Sequence, residues 1–223
     1  MNVSSAVKSR RSVRAFLDKP VELETLQRIL DLAQRSPSAG NIQPWNAVVL
    51  TGDPLRHLVQ VVADAIPKGQ RAQRPDHVVY PADMPEAYVR RRDGVGEAMN
   101  MSLGIARDDA FARLLWFSRN FQAFGAPVLM LVHTPRCMGA AQWSDIGMWM
   151  QTVMLLLREK GLDSCAQGAW VLYSHQIRRT LPLPEDHVLV CGISIGWRDP
   201  QAAVNQFDVP RAPWAEPVRF EGF

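Results

Sequence analysis

Arg10-Arg11-Ser12-Val13-Arg14 packs three guanidinium groups and a hydroxyl into one short stretch. Arginine offers rigid, permanently charged, bidentate donors. The group therefore suits a phosphate and the oxygen-rich edge of a planar heterocycle. Taken alone, the same arginines could equally sit at a helix C-terminus and offset its dipole. Further on, Ser36-Pro37-Ser38-Ala39-Gly40-Asn41-Ile42-Gln43-Pro44-Trp45 runs short polar residues into a glycine and a Gln-Pro-Trp close. It reads as an ordered loop whose backbone and amide groups could edge a ligand.

Other chemistries are poorly supported. Gly192-Ile193-Ser194-Ile195-Gly196 matches G-x-S-x-G, but Trp197-Arg198-Asp199-Pro200 turns the chain where a helix would be needed. The last histidine, His187, precedes the serine, whereas a hydrolase elbow has its acid and histidine downstream. Ser194 is therefore read as a small residue in a buried strand. No G-x-G-x-x-G opens a helix, and Walker and H-E-x-x-H sequences are absent, so nicotinamide would be a transient substrate. The five histidines show no i,i+4 pairing and predict no metal site. Cys165 lacks a neighbouring activating residue and is assigned to packing.

Hydrophobic spacing supplies the elements that must position these groups. A short helix capped by Ser4 or Ser5 should run to about Arg10, leaving the arginines at its exit. Residues 21–35 form the clearest amphipathic helix, with Leu23, Leu26, Ile29, Leu30 and Ala33 on one stripe. Residues 46–50 read as a short buried strand, followed by a helix over 55–65. The stretch 67–110 is polar and irregular. With the helix predicted over 111–124 it makes a lid-like excursion, in which Tyr88, Phe121 and Phe124 would shape a substrate pocket. A strand over 126–133, a helix over 143–160 and a strand over 188–196 complete the pattern. The 143–160 helix is apolar nearly all round, which implies burial on every side and hints at a partner subunit. Strands are few and separated by helices, so the fold class is α+β, a three-layer sandwich.

Composition sets the outer bounds. The chain has 223 residues, 47 % of them apolar and 21 % charged, which suits one globular domain over 1–223 with a sizeable core. The net charge of +3 is scattered, so neither nucleic acid nor membrane is expected as a partner. Arg90-Arg91-Arg92 reads as a solvated face. Three cysteines without C-x-x-C spacing, and no targeting segment, point to the cytoplasm.

Two further segments complete an ordered set. Leu162-Asp163-Ser164-Cys165-Ala166-Gln167-Gly168-Ala169-Trp170 lies between the loop and the closing strand, and Arg211-Ala212-Pro213 follows that strand. Together the four motifs, from about residue 8 to residue 213, resemble the nitroreductase family of FMN-dependent oxidoreductases. Two departures stand out. The family's second tail cation is replaced by Val209, and the proline of the third element by Ala166.

The resemblance implies a nitroreductase-like sandwich with a mixed, mostly antiparallel central sheet, and bound FMN reduced by NADPH or NADH. It places Arg10, Arg11, Ser12, Arg14 and Arg211 on the phosphate, ribityl chain and pyrimidine edge. Cys165, Ala166, Gln167 and Gly168 would lie at the flavin N5 edge. Pro37, Ser38, Ala39 and Asn41 would come from the other subunit of a homodimer with shared sites, and Gln43 would also contact the flavin. The expected activity is ping-pong reduction of a small-molecule electron acceptor, a nitroaromatic or similarly electron-poor compound, with the flavin rather than a side chain carrying the chemistry. Reduction of enones or quinones, and a flavin carrier or sensor without turnover, are the alternatives.

Overall fold

The computed structural model describes residues 1–70 and 75–223. The expected 67–124 excursion thus includes residues 71–74, which lie outside the described residues.

Helix α1 (Val3–Ser9) is capped by Asn2, whose side chain accepts from the Ser5 amide, rather than by Ser4 or Ser5. Helix α2 (Leu23–Ala33) buries Leu26, Ile29 and Ala33 as their spacing predicts, while Leu23 stands in solvent. Strand β1 (Asn46–Thr51) buries only Leu50, so the expected buried strand is an edge strand. Helix α3 (Gly52–Ala65) follows, buried along Leu55, Leu58, Val62 and Ala65.

The stretch read as irregular holds α4 (Glu86–Ser102), a 17-residue helix. Gly94 and Gly96 conceal it, because each glycine lowers helix propensity by about 1 kcal/mol. Helix α5 (Ala110–Ser118) ends six residues before the predicted Phe124. A 3₁₀ segment over Arg119–Gly125 takes its place, with Ala123 and Phe124 at positive φ of 49° and 54°. The chain continues through β2 (Val128–Pro135), α6 (Ala140–Glu159), β3 (Asp163–Gln167), α7 (Ser174–Thr180) and β4 (His187–Gly196).

The sheet order is β1-β2-β4-β3, with every neighbouring pair antiparallel. Among the described residues its parallel component is one isolated bridge, Ser12 to Ser164. Side chains of β2 alternate faces with the pleat. Leu129 and Leu131 join Leu58, Trp170 and Ile177 on one side; Val128, Met130 and Val132 join Ile29, Ile146 and Trp149 on the other. The register shifts between Val132 and His133, and Val190 on β4 is left unmatched. Val190 and Cys191 therefore both face the second cluster, as a bulge requires. His77 Nε2 lies 3.0 Å from the Val190 carbonyl, and Asp76 accepts from the Leu189 amide at 2.7 Å. The start of the excursion thus finishes the sheet where β3 stops. Helices α2 and α6 cover one face and α3 and α7 the other, giving the three-layer α+β sandwich.

Ser194 is fully buried, and its hydroxyl donates to the Gln167 side-chain oxygen, which disposes of a nucleophile elbow. The two glycines of that motif are there for close packing. A Cβ on Gly192 would stand 2.3 Å from Trp170, and one on Gly196 2.6 Å from Pro127. Replacing Gly192 by alanine is expected to destabilise the protein by about 1–3 kcal/mol through overpacking. Chemical denaturation of the variant checks this; an unchanged midpoint would contradict the packing assigned to Trp170.

His133 and His187 face each other with their Nδ1 atoms 2.8 Å apart, so one must donate and the other accept. Burial first, then His187 and Arg178, pull the His133 pKa down to about 4. The unfolded chain binds this proton more readily than the folded one. Stability is then complete above about pH 6.5 and declines as pH falls toward 4. Thermal melts of wild type and His133→Gln across that window test this, with the variant expected to show the flatter profile.

Candidate functional site

The arginine segment is held as an extra strand against the outer edge of β3. The Val13 amide donates to the Ser164 carbonyl at 3.0 Å, the Leu17 amide to Trp197 at 2.8 Å, and the Asp199 amide to Ala15 at 3.1 Å. Val13 is fully buried, which turns its neighbours toward the cleft. Asn205, 3 % exposed, completes the attachment. Its side chain donates to Ala15 and Asp199 and accepts from the Arg14 amide at 2.9 Å.

The result is a cleft of ≈ 690 Å³ into which Lys8, Arg10, Arg11, Ser12, Arg14, Arg158, Arg198 and Arg211 converge. Arg158 and Arg198 share the one carboxylate of buried Asp163, at 2.9 and 2.7 Å. Arg11 is also engaged: it donates to the Asn205 and Phe207 carbonyls at 3.0 and 2.8 Å and pairs with Asp208. Arg11 thereby fastens the tail that forms one wall.

Arg10 and Arg211 differ from these. Among the described residues neither bonds an acid, and Arg211 donates only to the nearby Val209 and Pro210 carbonyls. Burial, and then repulsion from Arg211, lower the pKa of Arg10 from its ordinary value. Two uncompensated guanidiniums held near each other make an anion site.

Beside the cleft, β3 has an unpaired edge. Its Ser164 carbonyl faces Val13, away from β4, so the two-residue backbone period puts the Ala166 amide on that same free edge. The Gln167 side chain is buried and fully bonded. It donates to the Asn120 carbonyl at 2.8 Å and accepts from Trp170 and Ser194. Gly168 abuts Val79, whose side chain would lie 3.2 Å from a Cβ there. The Cys165 thiol is raised in pKa by burial, against smaller opposing effects of Arg14, Ser12 and Arg10, so it stays protonated and packs.

Pro37, Ser38, Ala39, Asn41 and Gln43 do not line the cleft of their own chain. They form a rigid exposed loop. Gly40, Asn41 and Gln43 all have positive φ, a strained arrangement for the two non-glycines. Gln43 N donates to Ser38 Oγ at 3.0 Å and Ala39 N to buried Asp145 at 3.2 Å, which hold the shape. Of the residues expected in a substrate pocket, Phe124 lines a small cavity beside Arg14. Phe121 is only 3 % exposed, edge-to-face with Trp170 and Tyr173 in the core. Tyr88 stands on the outer surface of α4 with Arg91 near its ring. Arg158, Arg198 and Asn205 were not foreseen. They come from an apolar helix, a turn and the tail, and only Asp163 within the third motif pointed toward the two arginines.

A family model described as the nitroreductase family matches residues 7–197. The chain is 32 % identical to a chloronitrobenzene nitroreductase of Comamonas testosteroni, covering 98 % of this chain and 96 % of the relative. It is 33 % identical to a 4-nitrobenzoate reductase of Pseudomonas putida, with 98 % and 95 % covered. Its fold superposes on the FMN- and NADPH-dependent nitroreductase NfnB of Sphigopyxis sp. strain HMH with a TM-score of 0.97, at 45 % identity and full coverage of both chains. NfnB of Mycobacterium smegmatis, solved with NADPH, gives 0.93 at 30 % identity, with 99 % of this chain and all of that one covered. Matched over nearly its whole length in sequence and in fold, this chain belongs to the nitroreductase family.

Proposed function

We propose that the protein is an FMN-dependent reductase that oxidises NADPH or NADH and reduces nitroaromatic compounds, working as a homodimer with shared sites. The observation that carries this reading is the anion site of Arg10 and Arg211 at the end of the free β3 edge. It fits a flavin monophosphate. The two guanidiniums lack a counter-charge, and Arg14 lines the same cleft with donors to spare. FMN and NADPH dependence in the Sphigopyxis enzyme, and nitroaromatic substrates in the Comamonas and Pseudomonas ones, support the same assignment.

In this reading Arg10 and Arg211 hold the phosphate and Ser12 and Arg14 the ribityl and pyrimidine side. The backbone at Ala166 donates toward N5, and the buried Gln167 fixes the strand that carries it. Bound FMN supplies two-electron transfer from a nicotinamide to the acceptor, both admitted in turn at one open face. The cations of the cleft favour added negative charge on the ring, which lowers the need for any protein acid or base.

Dimerisation is supported by surface. The isolated chain exposes 13317 Å², against about 10,200 Å² expected for a monomer of its mass. Helix α5 buries no residue, and Phe111, Leu114 and Leu115 are 77 %, 57 % and 61 % exposed. On α6 one side is buried, while Met148 is 41 % exposed and Met154, Leu155 and Leu156 are half-buried. The strained loop over 37–43 is exposed and does not line its own cleft, as suits a loop serving a second copy. The three cysteines are free thiols, which supports a reducing cytoplasm. No helix among the described residues is long and apolar enough to cross a membrane.

The purified protein is expected to be yellow. Arg10→Ala and Arg211→Ala should each weaken FMN binding by about 1.5–3 kcal/mol, the scale of a hydrogen bond to a charged group. Fluorescence titration of apoprotein with FMN measures this, and unchanged affinity in both variants would remove the phosphate from this cleft. Sedimentation at low micromolar concentration should show a dimer, with an interface above roughly 2,000 Å². A stable FMN-loaded monomer would refute the shared site.

A further inference from the structure

Beneath α4 and α5 lies a cavity of ≈ 150 Å³ lined chiefly by Arg14, Asn100, Trp116, Phe117 and Phe124. Arg14 also lines the cofactor cleft, so the two spaces adjoin. Asn100 is the one buried residue of α4, at 7 % exposure. Its carbonyl accepts from the Leu103 and Ile105 amides, yet among the described residues its side-chain amide has no hydrogen-bond partner. The amide is not sealed from solvent, so it stays available to a ligand.

The other polar groups at the cavity are already engaged. Arg113 makes a bidentate pair with Glu97 at 2.8 and 2.9 Å and donates to the Ala106 carbonyl at 3.1 Å. Asn120 donates to Phe117 and accepts from Gln167. Arg14 is the exception, since its guanidinium makes one long bond, 3.4 Å to Ser12. The cavity thus combines aromatic walls with two free donors in its lining. Its volume equals the roughly 150 Å³ of an apolar cavity known to take up benzene. Indole and phenyl faces are electron-rich, so the ring they favour is electron-poor.

We propose that this cavity binds a single aromatic ring of the electron acceptor. Asn100, together with Arg14, hydrogen-bonds the oxygens of a nitro or carboxylate group on that ring. The assignment rests on the reductase reading above and makes Asn100 a specificity-determining residue. The amide recognises either substituent; the guanidinium adds strength when the group is anionic.

The test compares nitrobenzene, 4-nitrobenzoate and ferricyanide as acceptors under NADPH. Ferricyanide takes electrons without needing a ring pocket, and bound FMN serves as the folding control. In Asn100→Leu, kcat/KM for both nitroaromatics should fall about tenfold relative to ferricyanide, the scale of a single hydrogen bond. In Asn100→Asp, a further loss confined to 4-nitrobenzoate would place the carboxylate at residue 100, and an equal loss for both would place the nitro group there. Unchanged ratios in both variants overturn the proposal. Should the variants not fold, wild-type protein is titrated with benzoate, a non-reducible probe. Perturbation of the flavin spectrum together with competitive inhibition against 4-nitrobenzoate supports the cavity, and neither effect at millimolar benzoate overturns it. Failure of wild type to reduce any acceptor would instead refute the reductase reading.

Discussion

The attachment of residues 12–17 to the outer edge of β3 and to the tail is the constraint on which the site depends. One backbone bond, Val13 to Ser164, puts the arginine segment beside the sheet. One buried side chain, Asn205, then joins that segment to the turn after β4 and to the tail. Without these bonds Arg10 and Arg211 would have no reason to be near each other. Like charges in a half-buried cleft repel, so the fold must hold them together by contacts elsewhere. Arg11 contributes to that restraint by pinning the tail carbonyls. The segment therefore divides its cations by role: one fastens the wall, and Arg10, with Arg211 from the tail, is left uncompensated for a ligand.

Buried Asp163 works in a related way at the floor of the cleft. It sits at the first position of β3 and pairs with both Arg158 from α6 and Arg198 from the turn after β4. Three elements are thereby fixed to one another, and one carboxylate offsets half the charge of the two cations that line the cleft. Charge is concentrated at the mouth, where Arg10 and Arg211 meet solvent and can meet a ligand.

Much of this was legible in the chain where the signal is local. The stripe of Leu26, Ile29 and Ala33 located α2, and the apolar run in β4 located a central strand. The arginine motif supplied residues that line the cleft. What escaped has physical causes. Glycines and charges hid α4, since a helix that buries only Asn100 has no apolar stripe to read. Positive φ at Ala123 and Phe124 ended the predicted helix early by a tertiary demand that composition does not announce. Arg158, Arg198 and Asn205 owe their places to contacts across the fold. Leu23 and the edge position of β1 depended likewise on which neighbours the topology supplies.

Strain and exposure together explain why the site is read as a shared one. A loop carrying Asn41 and Gln43 at positive φ stores on the order of 1–3 kcal/mol at each residue, and such strain persists only where surrounding contacts over-determine it. Here Ser38, Asp145 and the buried Pro44–Trp45 close supply those contacts, although Pro37, Ala39, Asn41, Ile42 and Gln43 themselves stay exposed. A rigid, strained, solvent-facing loop has no role in stabilising its own chain. Helix α5 presents the complementary problem, an apolar surface with nothing against it. Both features, on a chain exposing about 30 % more area than its mass predicts, are resolved if a second copy covers the apolar helix and receives the loop at its cleft. In that arrangement the stiffness of the loop becomes useful, because a clamp that is already shaped loses little entropy when the ligand arrives.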